Sequence, residues 1–200
     1  MLDGSIRRGS GEAISAVIMV SDLRGFTDLS GRLAGPDMIA LLNAYFERMA
    51  GAVLAESGEV LKFIGDGLLA AFPFAAFADP AAAASAALAA ARKALAAVEA
   101  LNAAPGPLDG IAGWRPLRAG IALHAGEVFF GNIGAAERLD FTVIGRAVNE
   151  ASRVEGLCKP LGRPLLMTGA VARLLGDEAE PLGAHHGKGV AEPLAVFAPR

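Results

Sequence analysis

The sequence predicts an α+β domain, a ferredoxin-like split βαβ sandwich with helices on one side of a mainly antiparallel sheet. Three observations predict it. Short apolar, β-branched runs alternate with two long stretches of helical periodicity. A Gly-Asp-Gly turn closes two of those runs into a hairpin. The elements follow one another as strand, helix, hairpin, helix, strand pair.

Residues 1–13, rich in Gly, Ser and Arg without periodicity, read as a flexible lead or linker end, and one domain fills 14–200. Residues 14–20 form a short run suited to a strand buried on both faces, ended by the polar turn Ser21-Asp22-Leu23-Arg24-Gly25-Phe26-Thr27. Pro36 and Asp37 open a helix in which Met38, Leu42, Tyr45, Met49 and Val53 recur at helical spacing as far as Gly58. Residues 59–64 and 68–72 are two strands around Gly65-Asp66-Gly67, which leaves Asp66 at a hairpin tip. Residues 79–103 are dominated by alanine. Leu88, Leu95, Val98 and Leu101 nevertheless share one face, with Arg92, Lys93 and Glu99 outside it, the pattern of a close-packing helix. After a Pro/Gly loop at 104–116, residues 117–124 and 128–133 read as a strand pair turning at Ala125-Gly126-Glu127. A polar excursion follows at 135–140, then a strand at 141–144 and a helix at 147–159. The tail holds strand-like pieces at 164–167 and 194–197 around a short helix at 170–175.

Composition narrows the function classes. A chain of 200 residues buries roughly 70% of its unfolded surface, enough for one real core. The hydrophobic share of 54% and mean hydropathy of +0.45 reflect 43 alanines more than bulk. The most apolar region, 67–91, is broken by Pro73, Asp79 and Pro80, short of the ~18 uninterrupted apolar residues of a spanning helix, so the expectation is a soluble chain with no membrane span. A net charge of −3, with 18 basic and 21 acidic residues interspersed, offers no stripe for nucleic acid. Cys158 is the single cysteine, which excludes an internal disulfide and a thiolate zinc site and suits a reducing cytoplasmic setting.

Asp22 ends an apolar strand, Asp66 tips a hairpin, and both have glycines close by that allow near approach. Each alone reads as a turn aspartate; at the ends of neighbouring strands the two carboxylates can also share hard cations. Lys62 stands in an otherwise apolar strand, where it either snorkels at a sheet edge or meets a ligand. Asn149 and Arg153 are four apart, on one helix face, open to solvent or to one ligand, with Glu150 and Glu155 as salt-bridge partners. Lys188 lies between glycines, as turn lysines do. His124, His185 and His186 show no catalytic pattern, and His124 reads as packed or hydrogen-bonded at a strand end.

The strings DLRGFT (22–27), KFIGDG (62–67), FFGNIG (129–134), FTVIGRAVNEASR (141–153) and GKGVAEP (187–193) resemble, in order and spacing, the class III nucleotidyl cyclase catalytic domain, the cyclase homology domain. The resemblance covers about residues 14–198. It implies that the ribose 3′-hydroxyl of ATP attacks its own α-phosphorus and expels pyrophosphate. It assigns Asp22 and Asp66, with the Leu23 carbonyl, to two Mg²⁺ or Mn²⁺ ions per active site. The backbone N–H groups of Gly25, Phe26 and Thr27, and Lys188, fall to the phosphates.

Lys62 matches the base-reading lysine. Its partner, seven residues before Asn149, is Thr142, as in the subgroup of adenylate cyclases with threonine there. Asn149 then meets the ribose and Arg153 the charge developing at the α-phosphate. Glu127 departs from members that carry a phosphate-binding arginine after the His-x-Gly turn. The family works as a homodimer with shared active sites, and the Gly/Ser/Arg lead suggests an upstream sensor or regulatory domain. Two other readings stay open: a guanylate or relaxed-specificity cyclase, and a catalytically idle dimerisation or nucleotide-sensing module. A diguanylate-forming relative is disfavoured, because no Gly-Gly-Asp/Glu-Glu-Phe hairpin is present.

Overall fold

Strand β1 (Gly11–Leu23) lies at the heart of the sheet, with β3 (Gly67–Pro73) antiparallel on one side and β4 (Ala119–Ala135) antiparallel on the other. In the computed structural model, residues 11–135, 138–185 and 193–200 are described. Helix α2 (Gly35–Ala55) carries the chain from β1 to the edge strand β2 (Glu59–Ile64), which returns as β3 between them. Helix α3 (Pro80–Ala103) then crosses from β3 to β4 on the far side of β1. The order β2-β3-β1-β4 is the split βαβ arrangement the sequence predicts. The eight-stranded sheet continues through β6 (Leu165–Thr168), β8 (Leu194–Pro199) and β7 (Ala179–His185), while β5 (Arg138–Ile144) pairs with β4. Among the described strands only β4 and β6 pair in parallel, and the chain passes between them through β5 and helix α4 (Arg146–Leu157).

Both faces of β1 are apolar, and this decides where the helices go. Val17 and Met19 point into one core with Leu41, Tyr45 and Met49 of α2, with α3, and with Val171 of the short helix α5 (Gly169–Leu175). Ala16 and Ile18 point the other way, onto Ala147 and Ala151 of α4. The expectation of helices on one side is therefore corrected: α4 covers the second face, its buried Ala147, Ala151 and Val154 forming a stripe at helical spacing. Against the first face, α3 presents Ala83, Ala84, Ala87, Ala90, Ala91 and Ala94, all fully buried. By length and composition α2 and α3 are also apolar enough to cross a membrane, but here each packs on the sheet.

Other expectations change at strand level. Residues 117–133 do not turn at Ala125-Gly126-Glu127; β4 runs through them as one strand of 17 residues, with Ala125, Gly126 and Glu127 opposite Val17, Ala16 and Ser15 of β1. Gly126 serves close packing instead, since a Cβ there would lie 3.0 Å from the Ala147 methyl and from His124 Nε2. Of the polar stretch at 135–140, residues 135 and 138–140 belong to the β4–β5 ladder, with Ile133 opposite Asp140 and Ala135 opposite Arg138. Residues 11–13, grouped by composition with the lead, pair with 129–131. Helix α1 (Phe26–Ser30) and strand β7 had no counterpart in the periodicity.

Candidate active site

Two glycines bring Asp66 to Asp22. Gly65, with φ of 62°, turns the β2–β3 hairpin, and Asp66 follows it at the tip. Gly67 then runs so close to β1 that a Cβ would stand 2.7 Å from the Ser21 carbonyl oxygen. The Asp66 carboxyl consequently comes within hydrogen-bonding reach of Asp22. Burial, then the Asp66 charge and that hydrogen bond, raise Asp22 to about 6, with Arg24 pulling the other way.

Such a pair of hard oxygen donors, mutually repelling when ionised, fits a divalent cation, whose charge would relieve the repulsion. Among the described residues no group of three or more His, Cys, Asp or Glu side chains is arranged for a metal. Backbone oxygens and substrate are the further donors open to such an ion. Leu23, the next residue of β1, is buried and lies opposite Ala119.

Beyond Leu23 the chain is pinned by the Arg24 N–H, which donates to the Arg118 carbonyl at 2.7 Å. Gly25 takes a left-handed conformation, φ 78°, and starts α1. The N–H groups of Asp28 and Leu29 both donate to the Gly25 carbonyl at 3.1 Å. Those of Phe26 and Thr27, two residues earlier, have no acceptor within the helix, so they offer donors to an anion.

A cavity of about 190 Å³ opens beside Asp22, lined by Ile64 and Leu68 from the hairpin and Val148, Ser152 and Glu155 from α4. Arg24 contacts two of the residues that line it, Asp22 and Glu155. Its Nη2 is 2.5 Å from Glu155 Oε1 and donates to the Glu155 carbonyl at 3.1 Å, while Nη1 is 3.7 Å from Asp22 Oδ2. Burial raises Glu155 to about 7, Arg24 opposing and the Asp22 and Asp66 charges adding. The sequence marks Glu155 only as a generic ion-pair partner, and Arg24 only as one residue of the polar turn after β1. The signals available were a glutamate two residues after Arg153 and an arginine two after Asp22.

Lys62 is half-buried on the edge strand β2, opposite Leu69 and beside a bulge between Val60 and Lys62 that re-aims the strand. Thr142 lies in β5 with its backbone opposite Gly131. Asn149 and Arg153 lie one turn apart on α4, Asn149 exposed and Arg153 half-buried. Among the described residues neither makes a hydrogen bond or ion pair with Asp22 or Asp66. Lys188 and His186 lie outside the described residues. His124 sits mid-strand, not at a strand end, with Nδ1 3.0 Å from Thr168 Oγ1 and Nε2 3.5 Å from Glu150. Burial lowers its pKa despite Glu150, so it is a packed, hydrogen-bonded histidine. The His185 Nε2 is 3.0 Å from the Leu182 carbonyl. Burial pushes the Cys158 thiol up to about 12, and Sγ donates to the Ile121 carbonyl.

Comparison with known proteins places this geometry in a family. The adenylate and guanylate cyclase catalytic domain model matches residues 10–188. Adenylate cyclase 1 of Rhizobium meliloti is 33% identical over 90% of this chain and 26% of its own length, and the adenylate cyclase of Anabaena cylindrica is 33% identical over 86% and 33%. The chain thus spans about a quarter to a third of these relatives. The crystal structure of the adenylyl cyclase CyaB from P. aeruginosa superposes with a TM-score of 0.82 at 27% identity, covering 96% of each chain. That of the guanylyl cyclase Cya2 superposes with a TM-score of 0.77 at 29% identity, over 94% of this chain and 92% of the other. From fold, paired aspartates and matched motifs together, the chain belongs to the adenylate and guanylate cyclase catalytic domain family, the class III nucleotidyl cyclases.

Proposed function

We propose that this chain is an adenylate cyclase catalytic domain, cytoplasmic and homodimeric, that converts ATP to 3′,5′-cyclic AMP and pyrophosphate. The observation that carries the reading is the meeting of Asp22 and Asp66 at the end of β1, in a chain whose relatives include adenylate cyclases. Exposed Phe63 and Ile64 on β2, Phe129 on β4 and Ile144 on β5 support a second copy as the partner, since such large apolar side chains gain from being covered. An upstream sensor or regulatory domain fits relatives of which this chain matches only about a quarter to a third.

Asp22, Asp66 and the Leu23 carbonyl hold Mg²⁺ or Mn²⁺, two ions per site. Bound there, the ions neutralise the triphosphate and ease loss of the ribose 3′-hydroxyl proton. The N–H groups of Gly25, Phe26 and Thr27, with Lys188, bind phosphate oxygens. Lys62 and Thr142 read the adenine edge, Asn149 orients the ribose, and Arg153 faces the charge that grows on the α-phosphate as the new O–P bond forms and pyrophosphate leaves. The aspartates of one subunit work with Lys62, Thr142, Asn149 and Arg153 of the other; among the described residues, Asn149 and Arg153 make no hydrogen bond or ion pair with Asp22 or Asp66 of their own chain, which is compatible with a site completed across the dimer.

A second reading is a guanylate or relaxed-specificity cyclase. The Thr142 hydroxyl favours it, because it both accepts and donates, and so does the likeness to Cya2. Incubating the purified chain with Mn²⁺ and either ATP or GTP decides among the readings. Cyclic AMP alone supports the proposal, cyclic GMP supports the second reading, and no product under either condition leaves an idle module. Mixing Asp22→Asn and Arg153→Ala homodimers, each expected to be nearly inactive alone, tests the shared site. Random exchange should restore roughly a quarter of wild-type activity.

A further inference from the structure

We infer that Arg24 and Glu155 are a positioning pair that ties the metal-holding end of β1 to helix α4, so that one contact sets both Asp22 and Arg153 of the same subunit. The inference rests on the proposed roles of those two residues in a shared site. Its physical basis is a junction of three elements. From β1, the Arg24 guanidinium meets Glu155 twice, at Oε1 and at the backbone carbonyl, and turns its other nitrogen to Asp22. From β4, Gly120 lies opposite Asp22 and leaves the space that the pair fills. A Cβ on Gly120 would overlap the guanidinium and stand 2.6 Å from Glu155 Oε1.

The two side chains are only 19% and 11% exposed, so the charges are largely removed from water. Burying an ion pair stabilises a fold weakly at best, whereas it fixes geometry well when several contacts converge on it. The planar arginine fork suits that task and a lysine does not. On α4, Glu155 follows Arg153 by two positions, roughly 200° around the axis. Holding Glu155 inward therefore fixes the rotation and height at which Arg153 is presented outward. In a shared site Asp22 and Arg153 of one chain serve different active sites. The pair thus joins the two sites of the dimer through the interior of each subunit.

The test uses the complementing dimer. In a mixture of Asp22→Asn and Arg153→Ala chains, the one working site takes Arg153 from the first chain and Asp22 from the second. Glu155→Gln is added to one chain at a time. On the chain supplying Arg153 it should lower kcat ~10-fold or more, as a small misplacement of a reacting group does. On the chain supplying Asp22 it should raise the Mn²⁺ concentration needed for half-maximal rate. Full activity with unchanged Mn²⁺ dependence in either arm overturns the inference. Failure of the unmodified mixture to recover, with subunit exchange shown by mass, counts instead against the shared site.

Mn²⁺ alone, titrated against the homodimers by electron paramagnetic resonance, gives a readout independent of turnover. Kd should rise ~10-fold or more in Glu155→Gln, as for other outer-sphere partners of metal ligands. Gly120→Ala, which displaces the pair but keeps both charges, should raise it too, and Arg24→Lys should not restore wild-type binding. Wild-type Mn²⁺ affinity in Gly120→Ala and Glu155→Gln, each with a native circular dichroism spectrum, overturns the inference even if the mixture never recovers.

Discussion

Asp22 and Asp66 stand within hydrogen-bonding reach of one another, and burial, followed by the Asp66 charge and that hydrogen bond, raises Asp22 from an ordinary 3.8 to about 6. A carboxyl whose folded pKa is raised binds more protons folded than unfolded between those values. Its contribution to stability is therefore lost as pH rises from about 4 through about 6. Glu155, raised from 4.5 to about 7, extends the window upward.

The first expectation follows. In EDTA, Asp22→Asn should have a higher Tm than the wild type, by a margin that grows from pH 4 to about pH 6 and levels off above it, because the amide escapes the penalty of ionisation. Adding Mn²⁺ at pH 8 should raise the wild-type Tm and leave the variant's nearly unchanged. Scanning fluorimetry at four pH values checks both. A margin independent of pH would remove Asp22 as the titrating group.

Gly67→Ala tests the approach of the hairpin to β1. The new methyl would press on the Ser21 carbonyl, backbone against which no side chain can yield. A loss of about 1–3 kcal/mol in urea unfolding is expected, as for other overpacked sites. Turnover should fall further than stability explains, since Asp66 is carried on the displaced turn.

Base reading is tested by Lys62→Glu with Thr142→Cys. The edges of adenine and guanine differ in donors and acceptors, and unpaired polar groups penalise the wrong base. The ratio of ATP to GTP turnover should fall, measured as kcat/KM for each nucleotide. An unchanged ratio in an active variant would take these two positions out of base selection.

Asp79 offers a control far from the site chemistry. Its carboxylate accepts from the Ala82 N–H at 2.7 Å and caps α3. Asp79→Ala should cost about 1 kcal/mol of stability. Specific activity of the folded protein, read well below the Tm, should stay at the wild-type level.

Where local pattern and tertiary demand agree, the chain was readable in advance. Val17 and Met19 on β1, Tyr45 and Met49 on α2, and the Gly65 turn fall where periodicity and turn chemistry put them. Gly126 misleads because glycine signals both a turn and a close approach, and β1 supplies an unbroken partner that makes the second meaning prevail. Strand β7 carries Pro181, Gly183 and a register shift, and it is a strand only because β8 pairs with it. At the site, both aspartates were legible as carboxylates ending neighbouring strands. The contact between Arg24 and Glu155 spans 131 positions, and no local pattern encodes a partner so distant.

The alanine face of α3 limits how this domain can change over generations. Residues of that size have no rotamers to freeze, so the helix settles against the sheet with little entropy lost. They also have almost nothing to give up. Substitutions at Ala83, Ala87, Ala90 or Ala94 lead mostly to larger side chains, each forcing sheet and helix apart at a cost of about 1–3 kcal/mol. Neutral drift is thereby steered away from this contact and toward the outer side of the helix, where Arg92, Lys93 and Glu99 meet solvent.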